Sequence, residues 1–157
     1  MIPKSDDRAE VYKILNPQIE MLISDETDLV ANQANIVAAI RQAFGFFWVG
    51  FYWVKENELV LGPFQGPIAC TRIAFHRGVC GHAYTTRQSV LVPDVEQFPG
   101  HIACSSASKS EVVIPIFNRE RTKVVGVLDV DSDRLNDFSE IDLIGLEAII
   151  KLLEKKL

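Results

Sequence analysis

Residues 46–54, Phe-Phe-Trp-Val-Gly-Phe-Tyr-Trp-Val, are the stretch of this chain that decides its fold. The run is rich in aromatic and β-branched residues, and it is too short for a helix between Gly45 and the polar residues that follow. Because apolar side chains fill both alternating faces, the pattern predicts a central strand buried on both sides. The turn Glu56-Asn57-Glu58 then predicts a hairpin with a second strand over residues 59–64.

Helical patterns precede this hairpin. Apolar residues recur at helical spacing over residues 28–44 and over residues 9–23, where Pro17 interrupts the run. In the helix predicted over residues 9–23 the apolar positions are Val11, Ile14, Leu15, Ile19 and Leu22.

A second hairpin and a final helix follow the first. Two β-branched runs, 111–117 and 123–130, predict the hairpin, and Ser139 predicts the start of a C-terminal helix. The region between the hairpins indicates loops around a short helix near residues 81–86 and a short strand over 89–92.

Helices at both ends of a mostly antiparallel sheet predict a single α+β domain over residues 1–157. Its predicted parts are N-terminal helices in 1–44, a sheet with site-bearing loops in 45–138, and a C-terminal helix in 139–157.

Charge and hydropathy exclude two classes of partner. The formal net charge is −5, and the basic residues are scattered, which disfavours nucleic acid. The longest uncharged apolar stretch, residues 43–54, is too short to span a membrane, and residues 1–10 lack an apolar signal-peptide core. Three cysteines without an export signal favour a cytoplasmic thiol protein over a disulfide framework.

A seven-residue phrase, F-x-G-x-I-A-C, occurs twice, at residues 64–70 and 98–104, and each copy ends in a cysteine. The third cysteine, Cys80, lies between them in the segment Gly-Val-Cys-Gly. Cysteines in glycine-rich loops suggest sulfur chemistry, and the serine-rich residues after Cys104 can point backbone N–H groups at a thiolate or a carboxylate. The alternative is that these thiols are small buried hydrophobes.

A metal site is a further hypothesis for the same region. The candidate ligands are Cys70, His76, Cys80, His82, His101 and Cys104. No C-x-x-C pair is present and the spacings match no common zinc module, so we expect no bound metal.

Acidic and aromatic side chains near strand ends are the remaining candidates. Asp129 and Asp131 share one face of a strand, where they could bind an ammonium group or supply a proton, or else belong to a solvated turn. Glu111 begins the neighbouring apolar strand. Trp48 and Tyr52, four residues apart, share a strand face and belong either to the core or to a pocket for a thioether and its methyl group.

Taken together, these motifs resemble the free methionine-(R)-sulfoxide reductases, which are small enzymes of the GAF fold. The matching segments span nearly the whole chain: W-V-G-F-Y at 48–52, G-P-F-Q-G-P-I-A-C-T-R-I at 62–73, G-V-C-G at 78–81, the stretch 92–115, and G-V-L-D-V-D-S at 126–132.

The resemblance implies a role for each matching residue. Cys104 would be the nucleophile and Cys70 the resolving cysteine, with Cys80 an additional or alternative resolver. Trp48 and Tyr52 would line the substrate pocket. The acids that would bind or protonate the substrate are Glu111, Asp129 and Asp131.

The same resemblance implies free methionine-(R)-sulfoxide as the substrate, a thioredoxin-like reductant that recycles a Cys104–Cys70 disulfide, and no bound cofactor. The alternative from another class is a non-catalytic GAF module that senses a small ligand or redox state. A homodimer is compatible with the fold, with the N-terminal helices or residues 148–153 as its interface.

Overall fold

The computed structural model describes residues 7–101 and 107–157. Within these residues the chain forms four helices and six strands. The helices are α1 (Arg8–Ser24), α2 (Leu29–Phe44), α3 (Gly78–Thr86) and α4 (Glu140–Glu154). The strands are β1 (Trp48–Lys55), β2 (Glu58–Gln65), β3 (Arg72–Ala74), β4 (Val90–Val92), β5 (Ser110–Phe117) and β6 (Val124–Ser132). A 3₁₀ turn covers Val95–Gln97.

The strands form one sheet in the order β3-β2-β1-β6-β5-β4, and each neighbouring pair among the described residues is antiparallel. The predicted central strand, β1, lies inside this sheet between β2 and β6, and residues 48–52 are buried. Both predicted hairpins are present, as β1–β2 and β5–β6. The α+β prediction is therefore confirmed.

One face of the sheet packs against α1, α2 and α4. The core on this side includes Val49 and Phe51 of β1, Leu128 and Val130 of β6, and Ile149 of α4. Helix α4 begins at a capping box: the Ser139 hydroxyl accepts a hydrogen bond from the N–H of Ile141, and the Asp142 carboxylate accepts one from the N–H of Ser139. Within the described residues, no helix combines the length and apolar character that a membrane span requires.

A buried ion pair ties α1 to the start of α4. Arg8 donates to Asp142 Oδ2 and to Asp137 Oδ1, each at 2.9 Å, and Tyr12 Oη donates to Asp142 Oδ1 at 2.9 Å. Arg8 is only 4% exposed, so its buried charge depends on these two carboxylates for compensation. Asp142 therefore both caps α4 and anchors α1.

The opposite face of the sheet, called here the α3 face, carries a second apolar cluster. It includes Trp48 and Tyr52 of β1, Val113 of β5, Val127 of β6 and Val79 of α3. This cluster fixes α3 and the loops before it against the middle of the sheet, which is where the candidate site lies.

Helix α1 differs from the predicted pattern in two ways. It runs without interruption through Pro17, which is exposed. Ile14 and Leu22 are 61% and 47% exposed, while Tyr12 and Ile23 are buried in their place. The helix is rotated toward Tyr12 because that aromatic ring packs on Phe44 and its hydroxyl bonds to α4.

Strand β1, helix α3 and strand β3 also differ from the prediction: β1 begins at Trp48, two residues after the predicted start. Helix α3 begins at Gly78, three residues before the predicted start, and β3 pairs with β2 where a loop was predicted.

Candidate active site

Three carboxyl side chains meet on the α3 face. Glu111 of β5 pairs directly with Asp131 of β6, and Asp129 lies two residues earlier on the same strand face. Glu111 is 7% and Asp129 6% exposed, whereas Asp133, beyond the strand, is exposed. The solvated-turn interpretation is therefore wrong for Asp129, which lies inside the protein.

Burial raises the pKa of all three acids, and repulsion from a neighbouring carboxylate adds to the shift of Glu111 and Asp131. Burial raises the pKa of Glu111 well above its ordinary value, and the charges of Asp129 and Asp131 raise it further. Burial, followed by the charge of Asp129, also raises the pKa of Asp131. Burial raises the pKa of Asp129 too, but hydrogen bonds with its neighbours oppose that shift. All three carboxyls therefore retain a proton more readily than an exposed carboxyl does, and the hydrogen bonds of Asp129 oppose this effect only at that residue.

Asp129 also has an unsatisfied atom. Its Oδ1 is buried and has no hydrogen-bond partner among the described residues. An unpaired buried carboxylate oxygen is costly, and an ammonium group of a ligand would satisfy it.

Cys80 lies beside these acids. Its thiol is free and 4% exposed, and it is within hydrogen-bonding reach of Asp129. Burial raises the pKa of Cys80 well above its ordinary value, and the negative charges of Asp129 and Glu111 raise it further. The surroundings of Cys80 therefore favour the neutral thiol over the nucleophilic thiolate.

A cation could in principle use the same groups. Ligand atoms of Cys80, Glu111 and Asp129 lie within 4.8 Å of one another. Of the six candidate ligands from the sequence, Cys80 alone belongs to such a group among the described residues.

Trp48 and Tyr52 form an aromatic wall next to the acids. Their rings stack with centroids 6.0 Å apart, and both residues are buried. Gly50 and Gly66 lie against the Trp48 indole so closely that a Cβ at either position would collide with it. Trp48 and Tyr52 are both core residues and pocket residues, because they belong to an apolar cluster and also line a cavity.

The same two side chains bind the loop that carries Cys70. Trp48 Nε1 donates to the carbonyl oxygen of Pro67 at 3.0 Å, and Tyr52 Oη donates to that of Cys70 at 2.7 Å. Cys70 is half-buried in this loop, between β2 and β3. The first copy of the repeated phrase is thus held against the aromatic wall.

The second copy ends at Cys104, which lies outside the described residues. The chain on either side is anchored near the site. Gly78 N–H, at the start of α3, donates to the carbonyl oxygen of Gly100 at 3.1 Å, and Lys109 N–H donates to that of Ser132 at 2.8 Å. His101 and Ser108 both line the cavity described next.

The aromatic wall, the three acids and Cys80 line one cavity of about 60 Å³. That is small beside the roughly 300–1,000 Å³ of sites for drug-sized ligands, so a small molecule is indicated. Of the predicted site residues, the cavity is lined by Trp48, Tyr52, Cys80, Glu111, Asp129 and Asp131. Sequence reasoning missed Arg77, which also lines it and carries no motif that would have singled it out.

Comparison with known proteins gives the family. The family described as GAF domain matches residues 26–154. A crystal structure of free methionine-R-sulfoxide reductase from Neisseria meningitidis, in complex with its substrate, superimposes with a TM-score of 0.93 and 51% identity, covering 99% of this chain and 94% of that one. The chain belongs to the free methionine-R-sulfoxide reductase family of GAF domains.

Two curated relatives span similar lengths. The free methionine-R-sulfoxide reductase of Escherichia coli is 41% identical over 152 residues, which cover 96% of this chain and 91% of the relative. GAF domain-containing protein A of Dictyostelium discoideum is 58% identical over 148 residues, which cover 94% of this chain and 92% of that protein. The predicted family and fold are both confirmed.

Proposed function

We propose that this protein reduces free L-methionine (R)-S-oxide to L-methionine. The observation that carries the proposal is the meeting of three carboxyls and an aromatic wall in one small cavity of a chain with reductase relatives. The acids suit an ammonium group, and the wall suits a thioether with its methyl group.

The substrate is expected to bind with its two ends in different surroundings. Its α-ammonium group satisfies the unpaired oxygen of Asp129, and its methyl group packs on the rings of Trp48 and Tyr52. A methionine sulfoxide inside a peptide has no such ammonium group. It would leave the buried Oδ1 of Asp129 without a partner, which makes discrimination against peptides strong.

In the proposed reaction, a cysteine thiol supplies the electrons that reduce the sulfoxide. The Cys104 thiolate attacks the sulfoxide sulfur while an acid protonates the oxygen, and Glu111 is suited to this role because its raised pKa keeps a proton available. Oxygen is transferred to Cys104 as sulfenic acid, and methionine leaves with the two electrons of the thiol. In this step one thiol and one sulfoxide become one sulfenic acid and one thioether.

A second thiol then resolves the sulfenic acid. Cys70 attacks Cys104, which forms a disulfide and releases water. A dithiol reductant of the thioredoxin type restores both thiols by exchange. Two contrasts support Cys70 over Cys80 as the first resolver: Cys70 is half-buried, and the pKa of Cys80 is raised by burial and by Asp129.

The test is a thioredoxin-coupled assay that follows NADPH consumption. We expect turnover with the free (R) epimer, little with the (S) epimer or with an N-acylated peptide, and none in Cys104→Ser. Cys80→Ser is the matched control, because it removes a thiol that lines the cavity and should keep substantial activity. Full activity in Cys104→Ser would refute the nucleophile, and ligand binding without turnover would favour the sensing module.

Assembly into a homodimer also remains a proposal. Ile149, Ile150 and Leu153 are buried in the chain's own core, so the predicted 148–153 interface has few side chains to offer. The N-terminal helices are better supported, because Ile14 and Leu22 of α1 are exposed. Sedimentation equilibrium would decide, and a monomer at micromolar concentration would refute the dimer.

A further inference from the structure

Cys80 lies in the cavity, and the proposed reaction gives its thiol no step. It comes from α3, whereas Glu111 comes from β5 and Asp129 from β6. Ligand atoms of these three side chains lie within 4.8 Å of one another, and all three residues are buried. Donors from three separate elements therefore converge on one point. Tertiary packing creates this group, so the sequence spacings that characterise common zinc modules do not bear on it.

One donor of the group has no partner. Asp129 lines the cavity and is 6% exposed, and its Oδ1 has no hydrogen-bond partner among the described residues. A buried carboxylate oxygen in this state is costly. Because buried charges in proteins are either paired or coordinate metal ions, a cation in the cavity would remove that cost.

The donor set selects the kind of cation. One sulfur and two carboxyl groups suit a divalent ion of the zinc type, whereas Mg²⁺ and Ca²⁺ prefer oxygen ligands alone. Three protein ligands leave a tetrahedral ion one open position for water. Burial favours the neutral thiol of Cys80 in the empty cavity, but a coordinated thiol is deprotonated, because the ion supplies the positive charge that the cavity otherwise lacks.

From this geometry we infer that Cys80, Glu111 and Asp129 form an inhibitory site for Zn²⁺. The ion takes the oxygen of Asp129 that would receive the substrate's ammonium group, and it displaces the proton that Glu111 would donate. Zn²⁺ and the sulfoxide therefore exclude each other. This exclusion rests on the proposed function, whereas binding of the ion does not. Zn²⁺ acts here as an inhibitor and not as a cofactor, so turnover requires no metal.

The experiment uses cobalt(II) chloride as a spectroscopic substitute for zinc. It is added to the full chain carrying Cys70→Ser and Cys104→Ser, in which Cys80 is the remaining thiol. A cobalt-bound thiolate gives a sulfur-to-metal charge-transfer band that carboxylates alone do not give. We expect one equivalent of Co²⁺ to bind with this band, zinc chloride to abolish the band by displacement, and Cys80→Ser to remove it.

A pair of acid variants tests the unpartnered oxygen. Asp129→Asn should weaken Co²⁺ binding about tenfold or more, since even outer-shell partners of a metal ligand change metal affinity by about 10- to 100-fold. Asp133→Asn is the matched control, because Asp133 follows the same strand but is exposed, and it should leave Co²⁺ affinity unchanged. Free methionine (R)-sulfoxide, which this chain cannot turn over, should raise the apparent Co²⁺ dissociation constant in proportion to its concentration.

Three results would overturn the inference: no charge-transfer band, a band that survives Cys80→Ser, or equal losses in Asp129→Asn and Asp133→Asn. A band that the sulfoxide leaves unchanged would also overturn it if the unsubstituted protein turns that sulfoxide over. If the unsubstituted protein shows no turnover, the proposed function fails, and the band still tests the metal site separately. Should the doubly substituted chain fail to fold, calorimetric titration of the reduced, unsubstituted protein with zinc chloride replaces it, and an affinity unchanged by Cys80→Ser would refute the site.

Discussion

Removal of one hydroxyl group should separate the two halves of the proposed catalytic cycle. In Tyr52→Phe the ring stays against Trp48, but the hydrogen bond from Tyr52 Oη to the carbonyl oxygen of Cys70, 2.7 Å long, is lost. Burial raises the pKa of Tyr52 far above its ordinary value, so the hydroxyl acts as a donor over the whole working pH range.

The magnitude follows from that single bond. A buried hydrogen bond of this kind contributes about 0.5–1.5 kcal/mol, which corresponds to roughly a two- to tenfold change in how often the Cys70 loop occupies its bound position. The step that needs Cys70, disulfide formation, should slow by that factor. Formation of methionine in the first turnover should change little, because Tyr52→Phe keeps the aromatic wall.

The assay is a single turnover with stoichiometric substrate. Methionine is measured in quenched samples, and the lifetime of the Cys104 sulfenic acid is measured by trapping with dimedone. We expect a longer-lived sulfenic acid at an unchanged rate of methionine formation.

Tyr12→Phe is the matched control, because it also removes a buried tyrosine hydroxyl, one that bonds to Asp142 far from the cavity. It should lower the melting temperature and leave both steps unchanged. An unchanged sulfenic acid lifetime in Tyr52→Phe, or equal slowing of both steps, would refute the reasoning.

Three further predictions concern charge, packing and reactivity. Because the folded-state pKa of Glu111 is raised, its ionisable group favours the folded state below the ordinary carboxyl pKa of about 4.3 and loses that contribution as the pH rises. Glu111→Gln should therefore melt higher than the unsubstituted protein at neutral pH, with the gain vanishing at acidic pH in thermal scans; a gain that persists there would contradict this. Gly145→Ala should cost about 1–3 kcal/mol in urea unfolding, because its Cβ would collide with the Tyr12 ring, whereas exposed Ile144→Ala should cost little, and equal costs would exclude the collision. In a chain whose other two cysteines are replaced by serine, Cys80 should be alkylated by iodoacetamide far more slowly when folded than in urea, and equal rates would show that it is accessible.

Much of the fold could be predicted because its central elements have strong local signals. The aromatic run at 46–54 identifies β1, since a strand buried on both faces needs apolar residues at every position. Ser139 and Asp142 identify the start of α4, since a capping box is a local feature. Strand β3 has no such signal: three residues are too few for a period, and it exists because the edge of β2 offers hydrogen-bonding partners.

The candidate site also combines residues that local sequence patterns predict with residues that only tertiary packing brings together. Asp129 and Asp131 could be assigned to one face from their spacing alone. That Glu111 faces them depends on the register of β5 against β6, where a slip of one residue would turn Glu111 to the other face. Its role was predicted from the family resemblance, and the local pattern alone gave no reason for it. Arg77 could not be found at all, since its position at the cavity follows from how α3 packs on the sheet.

The close contact of Trp48 with Gly50 and Gly66 gives this protein a built-in optical probe. The chain has two tryptophans, and the other, Trp53, donates to the Gln33 side chain of α2 away from the cavity. Replacement of Trp53 by phenylalanine would leave a single indole that forms part of the cavity wall and packs closely against both glycines. Its emission would then report ligand occupancy and the redox state of the neighbouring sulfur groups in real time, without any added dye.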